Sequence, residues 1–318
     1  MADVRLLPVD RFGLIRRADA LAADWSDTML AAAVRSGDLL RPAPGVFLVP
    51  DDVFATPHGG DELHRLRAIA VVSSVRDQGA TTLSHQSAAA VHGLPLLKPD
   101  QRLVHVTRHG TNGGGERGYR KVHALALPAS DVVVRDGIMV TSLERTAADI
   151  ALTGTFAQAL TAIDGALRAG ASRDGIAARL QGRRSPGSRI ARAALAHADP
   201  LAESVGESWS RAEMIQARLA LPVLQCEHRI DGSTYRCDFD WRCRLVGEFD
   251  GLHKYGRFRR PGESVADAVL REKKREDALT RAGVKVVRWV WADLEQGRVV
   301  PMIRAWLDAL DTIPALSN

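Results

Sequence analysis

The sequence predicts an α+β, α/β multidomain protein, and three observations carry that prediction. At 318 residues the chain exceeds the usual ~50–200 residues of one domain. Helix-period and strand-period stretches alternate along its whole length, separated by Gly/Pro clusters. A polar, turn-rich stretch, Gly182 to Gly187 with Arg183, Arg184 and Pro186, has the composition of a linker. The expected parts are residues 1–58, a mixed α/β middle region over 59–198, and an α/β core over 199–318.

The first part reads as two short helices and a strand pair. Arg16 to Ala23 is rich in Ala and Leu, good helix formers. Ser26 or Asp27 suits the N-cap of a second helix, Thr28 to Ser36, which Gly37 closes as a C′ residue. Leu39–Arg41 and Val46–Val49 are strands joined by the turn cluster Pro42-Ala43-Pro44-Gly45. Helix, turn, helix and hairpin in this order is the layout of a winged helix-turn-helix.

In the middle region Leu63 to Val75 has helical apolar periodicity, and His85 to His92 is a short helix closed by Gly93-Leu94-Pro95. Arg102 to Thr107 and Val122 to Leu127 read as strands flanking a Gly-rich tip, Gly110 to Gly118. Ser142 to Leu152 and Phe156 to Ala169 read as helices. His85 and His92 stand seven apart, on one helix side, and without an acidic partner they read as structural. Glu144, Arg145 and Asp149 read as caps and braces of a helix.

The last part reads as a helix from Ser204 to Ala220, a β region from Val223 to Phe249, a helix from Val265 to Ala282, a strand Lys285–Val290 and a helix Val300 to Leu310. This α-β-β-β-α-β order fits one mixed core. Trp289 and Trp291 read as packing residues. No repeat at a solenoid or propeller period is present.

The stretch carrying chemistry is Tyr235-Arg-Cys-Asp-Phe-Asp-Trp241 followed by Leu245-Val-Gly-Glu-Phe-Asp-Gly251, with a turn at Arg242-Cys243-Arg244. Period-2 alternation puts Asp238 with Asp240, and Glu248 with Asp250, on shared faces. Carboxylates on adjacent strands repel unless a cation sits between them, and hard oxygen ligands suit Mg²⁺ or Mn²⁺. Such an ion both activates water and neutralises charge in phosphodiester hydrolysis. Lys254 is the nearest lysine able to assist, and Glu207 on the preceding helix supplies a further acid. The bland alternative is a surface hairpin with acids that bind nothing. Lys273, Lys274 and Arg275, on the following helix, read either as a solvated face or as phosphate contacts.

On these residues, Glu203 to Leu294 resembles the Vsr-like branch of PD-(D/E)XK, restriction-endonuclease-like nuclease domains. The marks are Glu207, Asp238-Phe239, Glu248-Phe-Asp-Gly251 with His253-Lys254, the helix Arg271 to Asp277, Gly283, and Val286-Val-Arg-Trp289. The resemblance implies Asp238 and Glu248 as metal ligands with Glu207 accessory. The chain departs from that pattern at Asp250, which occupies the position of the ExK lysine.

The N-terminal part resembles the winged helix of AbiEi-type antitoxins, through Gly13 to Ala20, the helix Thr28 to Ser36, Gly37-Asp-Leu-Leu-Arg41 and Pro44-Gly-Val-Phe-Leu48. The middle region resembles the same family through Ser84 to Ala90, His92-Gly-Leu-Pro95 and Thr141 to Ala147. The resemblance implies a second helix in the major groove, with Arg16, Arg35 and Arg41 at phosphates, and a partner toxin.

Composition narrows the field further. A net charge of +5 favours a polyanionic partner such as duplex DNA. No apolar run reaches the ~20 residues needed to cross a bilayer, and Met1 to Asp10 lacks a secretory apolar stretch, so a cytoplasmic protein is expected. Cys226, Cys237 and Cys243 are odd in number and lack a CxxC pair, which favours free thiols over a zinc site completed by His228 or His253. The expected function is a Mg²⁺-dependent DNA endonuclease guided by a winged helix. The alternative is a toxin–antitoxin-type regulator with an inactive nuclease-like domain.

Overall fold

The computed structural model describes residues 3–56, 59–74, 81–110, 113–251 and 264–311. Those residues form a mixed α/β fold with three sheets. Two compact units emerge: residues 1–153 with 171–188, and residues 154–170 with 189–318. The units therefore differ from the three parts expected, because the segment around Phe156 to Arg168 groups with the C-terminal residues.

The first unit opens with β1 (Ile15–Arg16), α1 (Arg17–Ala22), α2 (Asp27–Ser36), β2 (Leu40–Ala43) and β3 (Val46–Leu48). Ser26 caps α2 by accepting the Met29 N–H, and Gly37 ends it in left-handed geometry at φ 85°, as its sequence position suggests. The strands form a sheet of order β1-β3-β2. Leu30, Ala33, Leu39 and Phe47 pack on one side of this sheet. Leu14, Ala43, Val46 and Leu48 on the other side join the core beneath α3 (Gly59–Val72). The first fifty residues thus close a small core on one side of their sheet and share a second core with α3 on the other.

Next come β4 (Thr82–Leu83), α4 (His85–His92), β5 (Val104–His109), β6 (Gly115–Arg117), β7 (Arg120–Leu125), β8 (Val132–Arg135), β9 (Ile138–Thr141) and α5 (Leu143–Thr153). The strands make one sheet ordered β6-β7-β5-β4-β9-β8. The two strands around the Gly-rich tip run parallel, not as a hairpin. The tip itself contains β6, which pairs antiparallel with β7, so the chain reverses twice. Val104, Val106, Leu83 and Val140 pack against Leu66 and Ile69 of α3. Arg145 of α5, 2% exposed, bonds Asp149 at 2.9 Å and Asp131 at 3.0 Å, a buried ion network that needs all its partners. Glu144 accepts the Ser172 N–H at the start of α7 (Arg173–Leu180).

The second unit holds α6 (Phe156–Arg168), α8 (Ser188–His197), α9 (Val205–Gln216), β10 (Val223–Ile230), β11 (Ser233–Trp241), β12 (Leu245–Asp250), α10 (Val265–Arg281), β13 (Lys285–Val290), α11 (Trp291–Glu295) and α12 (Val299–Asp311). Thr155 and Gln158 form a capping box on α6. Asp164 of α6 bonds Ser208 at 2.8 Å and Arg211 at 2.9 Å on α9. The sheet order is β10-β11-β12-β13, antiparallel except for the parallel β12–β13 pair spanned by α10. Phe239, Trp241, Leu245 and Trp289 form the core with Met214 of α9. A side chain at Gly247 would meet the Trp289 ring at 2.5 Å, and one at Gly206 would overlap Phe249.

Candidate functional site

The N-terminal segment presents an exposed helix face. Leu30 and Ala33 of α2 are buried, which leaves Thr28, Ala31, Ala32 and Arg35 exposed on the opposite side. Arg35 and Arg41 are exposed and make no ion pair with a described residue. Arg16 is different: it bonds Asp10 at 2.6 Å and the Ser73 hydroxyl at 2.9 Å. Its guanidinium ties β1 to the end of α3, a role the sequence did not reveal because Ser73 is fifty-seven residues away.

The acidic hairpin forms over the expected residues, and Arg242 and Cys243 turn it at positive φ. Its alternation breaks, however. The β10–β11 ladder pairs Leu224↔Phe239 and then Cys226↔Cys237, and between them Gln225 has φ 53°. Phe239 consequently packs with Trp241 and Trp289, whereas Cys237, two residues away, packs with Val246, Leu279 and Val284. Strict period-2 reading fails at this irregularity.

The four acids consequently do different things. Asp240 bonds His228 Nε2 at 2.8 Å and accepts the Cys243 N–H at 2.9 Å. Asp238 instead accepts the Phe249 N–H at 2.9 Å, across to β12. Glu248 is ion-paired with Arg275 of α10 at 2.5 Å, and Asp250 lies on the same strand within the field of Arg288. Glu207 of α9 accepts from the Glu203 N–H and from Gln225 Nε2. Burial, and next the nearby Asp238 charge, push its carboxyl up to about 7. Glu207 and Asp238 are thus electrostatic neighbours.

Arg275, read as either a solvated or a phosphate-contacting cation, is turned inward. Besides Glu248 it donates to the Arg236 carbonyl at 3.0 Å. Lys273 and Lys274 remain exposed. Lys254 and His253 lie outside the described residues. Among the described residues, Asp238, Glu248 and Asp250 do not make a cluster of three ligand atoms within 4.8 Å; Cys226, His228 and Asp240 do, and so do His85, His105 and His123. The three cysteines are free thiols. Cys237 stands apart beside Glu248, and burial pushes its thiol up to about 12.

His85 and His92 do not act together. His92 Nε2 meets the Thr141 carbonyl at 2.7 Å, while His85 stacks on His123 at 3.8 Å. His105 and His123 carried no sequence signal, because they lie on separate strands eighteen residues apart.

Residues 5–50 match the family described as "Transcriptional regulator, AbiEi antitoxin". Two proteins of Mycobacterium tuberculosis, "Uncharacterized protein MT2308" (strain CDC 1551 / Oshkosh) and "Uncharacterized protein Rv2248" (strain ATCC 25618 / H37Rv), are 34% identical over 180 residues. That alignment covers 54% of this chain, which spans 63% of the length of either relative. A crystal structure of the RV2827C protein from Mycobacterium tuberculosis aligns over 69% of this chain and 80% of that one, with 19% identity and a TM-score of 0.38. Among the described residues no helix is long and apolar enough to cross a membrane.

Proposed function

We propose that the protein is a DNA-binding transcriptional regulator of the AbiEi antitoxin kind. In this reading residues 15–48 act as a winged helix, with α2 in the major groove and the β2–β3 wing along the backbone. The observation that carries it is the face of α2: Thr28, Ala31, Ala32 and Arg35 are exposed in a segment matching that family. Small side chains let a helix approach base edges closely and meet thymine methyls, while an arginine reaches guanine or phosphate. Arg35 and Arg41 serve as phosphate contacts, with Arg16 holding the wing in place. An antitoxin reading also brings a toxin as protein partner, testable by co-purification with the product of an adjacent gene.

The test is binding of the full chain to duplexes from upstream of its own gene, against scrambled duplexes, across a salt series. Sequence-selective binding that weakens steeply with salt is expected. Equal, weak binding to every duplex overturns the reading.

A second reading is a nuclease with Mg²⁺ or Mn²⁺ held by Asp238, Glu248 and Asp250, helped by Glu207. The coupling of Glu207 to Asp238 favours it. The Arg275 guanidinium already neutralises Glu248, Asp250 replaces the expected lysine, and these residues fit a folded acid cluster better than a metal cage. We derive no hydrolytic step from them. Metal-dependent nicking of plasmid DNA, lost on changing both Asp238→Ala and Glu248→Ala, would restore the enzyme reading.

A further inference from the structure

We propose that His85, His105 and His123 form a three-imidazole site for one divalent transition-metal ion, with zinc the ion their ligand set fits best. The site lies within the first unit and is independent of the DNA-binding reading. β5 and β7 are parallel neighbours with Thr107 opposite His123, so alternation puts His105, Thr107 and His123 on one face of the sheet. The Ser84 N–H donates to the His105 carbonyl at 3.1 Å, which sets His85, the next residue, against that face. The His105 ring centroid is 5.2 Å from that of His123 and 5.5 Å from that of His85. His85 and His123 stack 15° from parallel at 3.8 Å, so the His85 ring turns out of that stack when all three in-plane lone pairs meet one ion.

One nitrogen from each ring lies within 4.8 Å of the other two, and His123 Nε2 is 3.2 Å from His105 Nδ1. Tetrahedral zinc at ~2.0–2.1 Å from each nitrogen separates its ligands by roughly 3.3 Å, so one edge of the site already has its final length. His85 Nδ1 meets the Ser84 hydroxyl at 3.0 Å, an arrangement that orients a ring and leaves its Nε2 for a metal. His85 also holds φ 51°, in the left-handed region that L-residues rarely adopt.

Ligand imidazoles must be neutral. Burial, reinforced by the neighbouring rings and cations, pushes His105 down to about 3 and His85 well below its ordinary value. Burial, then Lys121 and Arg145, pushes His123 down to about 4. Those cations are themselves balanced, Lys121 by Glu116 and Arg145 by Asp131 and Asp149. Thr107, fully buried, has a hydroxyl with no hydrogen-bond partner among the described residues. It stands beside His123 on the same face, where a water in the fourth coordination position would receive or give a hydrogen bond.

The test is titration of the metal-freed full chain with Co²⁺ and Zn²⁺. Expected are one ion per chain, the visible absorption of four-coordinate cobalt without a thiolate charge-transfer band, and a zinc-induced rise of the melting midpoint by ~5–10 °C near 100-fold excess over Kd. His105→Ala and His123→Ala should weaken binding at least ~10-fold, while Cys226→Ser leaves it intact. The proposal is overturned by no binding at micromolar zinc, by a thiolate band in the wild-type cobalt spectrum, or by loss of binding with Cys226→Ser alone. The cobalt spectrum is read on the wild type, so it decides the matter even where the histidine variants fail to fold.

Discussion

The exposed face of α2 and the acid-bearing strands β11 and β12 treat their charges in opposite ways. On α2 the cation Arg35 points to solvent and makes no ion pair with a described residue. On β11 and β12 the acids are drawn into the fold: Glu248 by Arg275, Asp240 by His228, Asp238 by a backbone N–H. A surface charge without a partner keeps its full field for an incoming polyanion. A buried, paired charge holds elements together and has little left to offer a ligand. The contrast favours binding at the N-terminal face and a structural role for the acids.

Four single substitutions, the first with a rescuing second change, can break or sharpen that contrast. The largest effect is expected at Arg275→Ala, which leaves Glu248 buried without its cation. The second unit should lose about 3 kcal/mol by chemical denaturation, and a loss below about 0.5 kcal/mol would show the acids are not structurally engaged. Arg275→Ala/Glu248→Leu should recover much of the loss.

Glu207→Gln comes next. The folded carboxyl titrates at about 7 against an ordinary 4.5, so the folded state holds a proton the unfolded chain has already released. Wild-type stability therefore falls as pH rises from about 4.5 to 7 and stays reduced above that. The variant should escape that fall and be more stable at pH 8 by about 2–3 kcal/mol. Parallel curves for the two proteins from pH 4.5 to 8 would refute the assignment.

Ser26→Ala removes the cap on α2 and should cost about 1 kcal/mol, with a matching loss of DNA affinity if α2 is the reading helix. Arg35→Ala should leave the melting curve within about 0.5 kcal/mol of wild type. It should also weaken duplex binding and lower the salt slope by about one. A stability loss with unchanged binding would reverse the comparison.

Much of the secondary structure was legible because it is local. Ser26, Gly37, Thr155, Gln158 and the Arg242–Cys243 turn act on their immediate neighbours, so the helices α2, α4, α5, α6 and the β11–β12 turn stand where the sequence places them. The short strands β1, β4, β8 and β9 were not legible, since two to four residues carry too little periodicity. The segment 199–318 shows the expected element order, while its Vsr-like reading stays a proposal.

By itself, the sequence determined the α/β character, the capped helices, the basic balance and the segment, residues 5–50, that matches a regulator family. Those properties depend on residues close in the chain. Only the tertiary structure decided which charges meet. Arg16 reaches Ser73, Arg275 reaches Glu248, and His85 joins His105 and His123. Each contact spans at least eighteen residues, and the break of alternation at Gln225 and Asp238 decides which face each acid takes. Pairing of that kind follows from strand register and packing, and no local pattern encodes it.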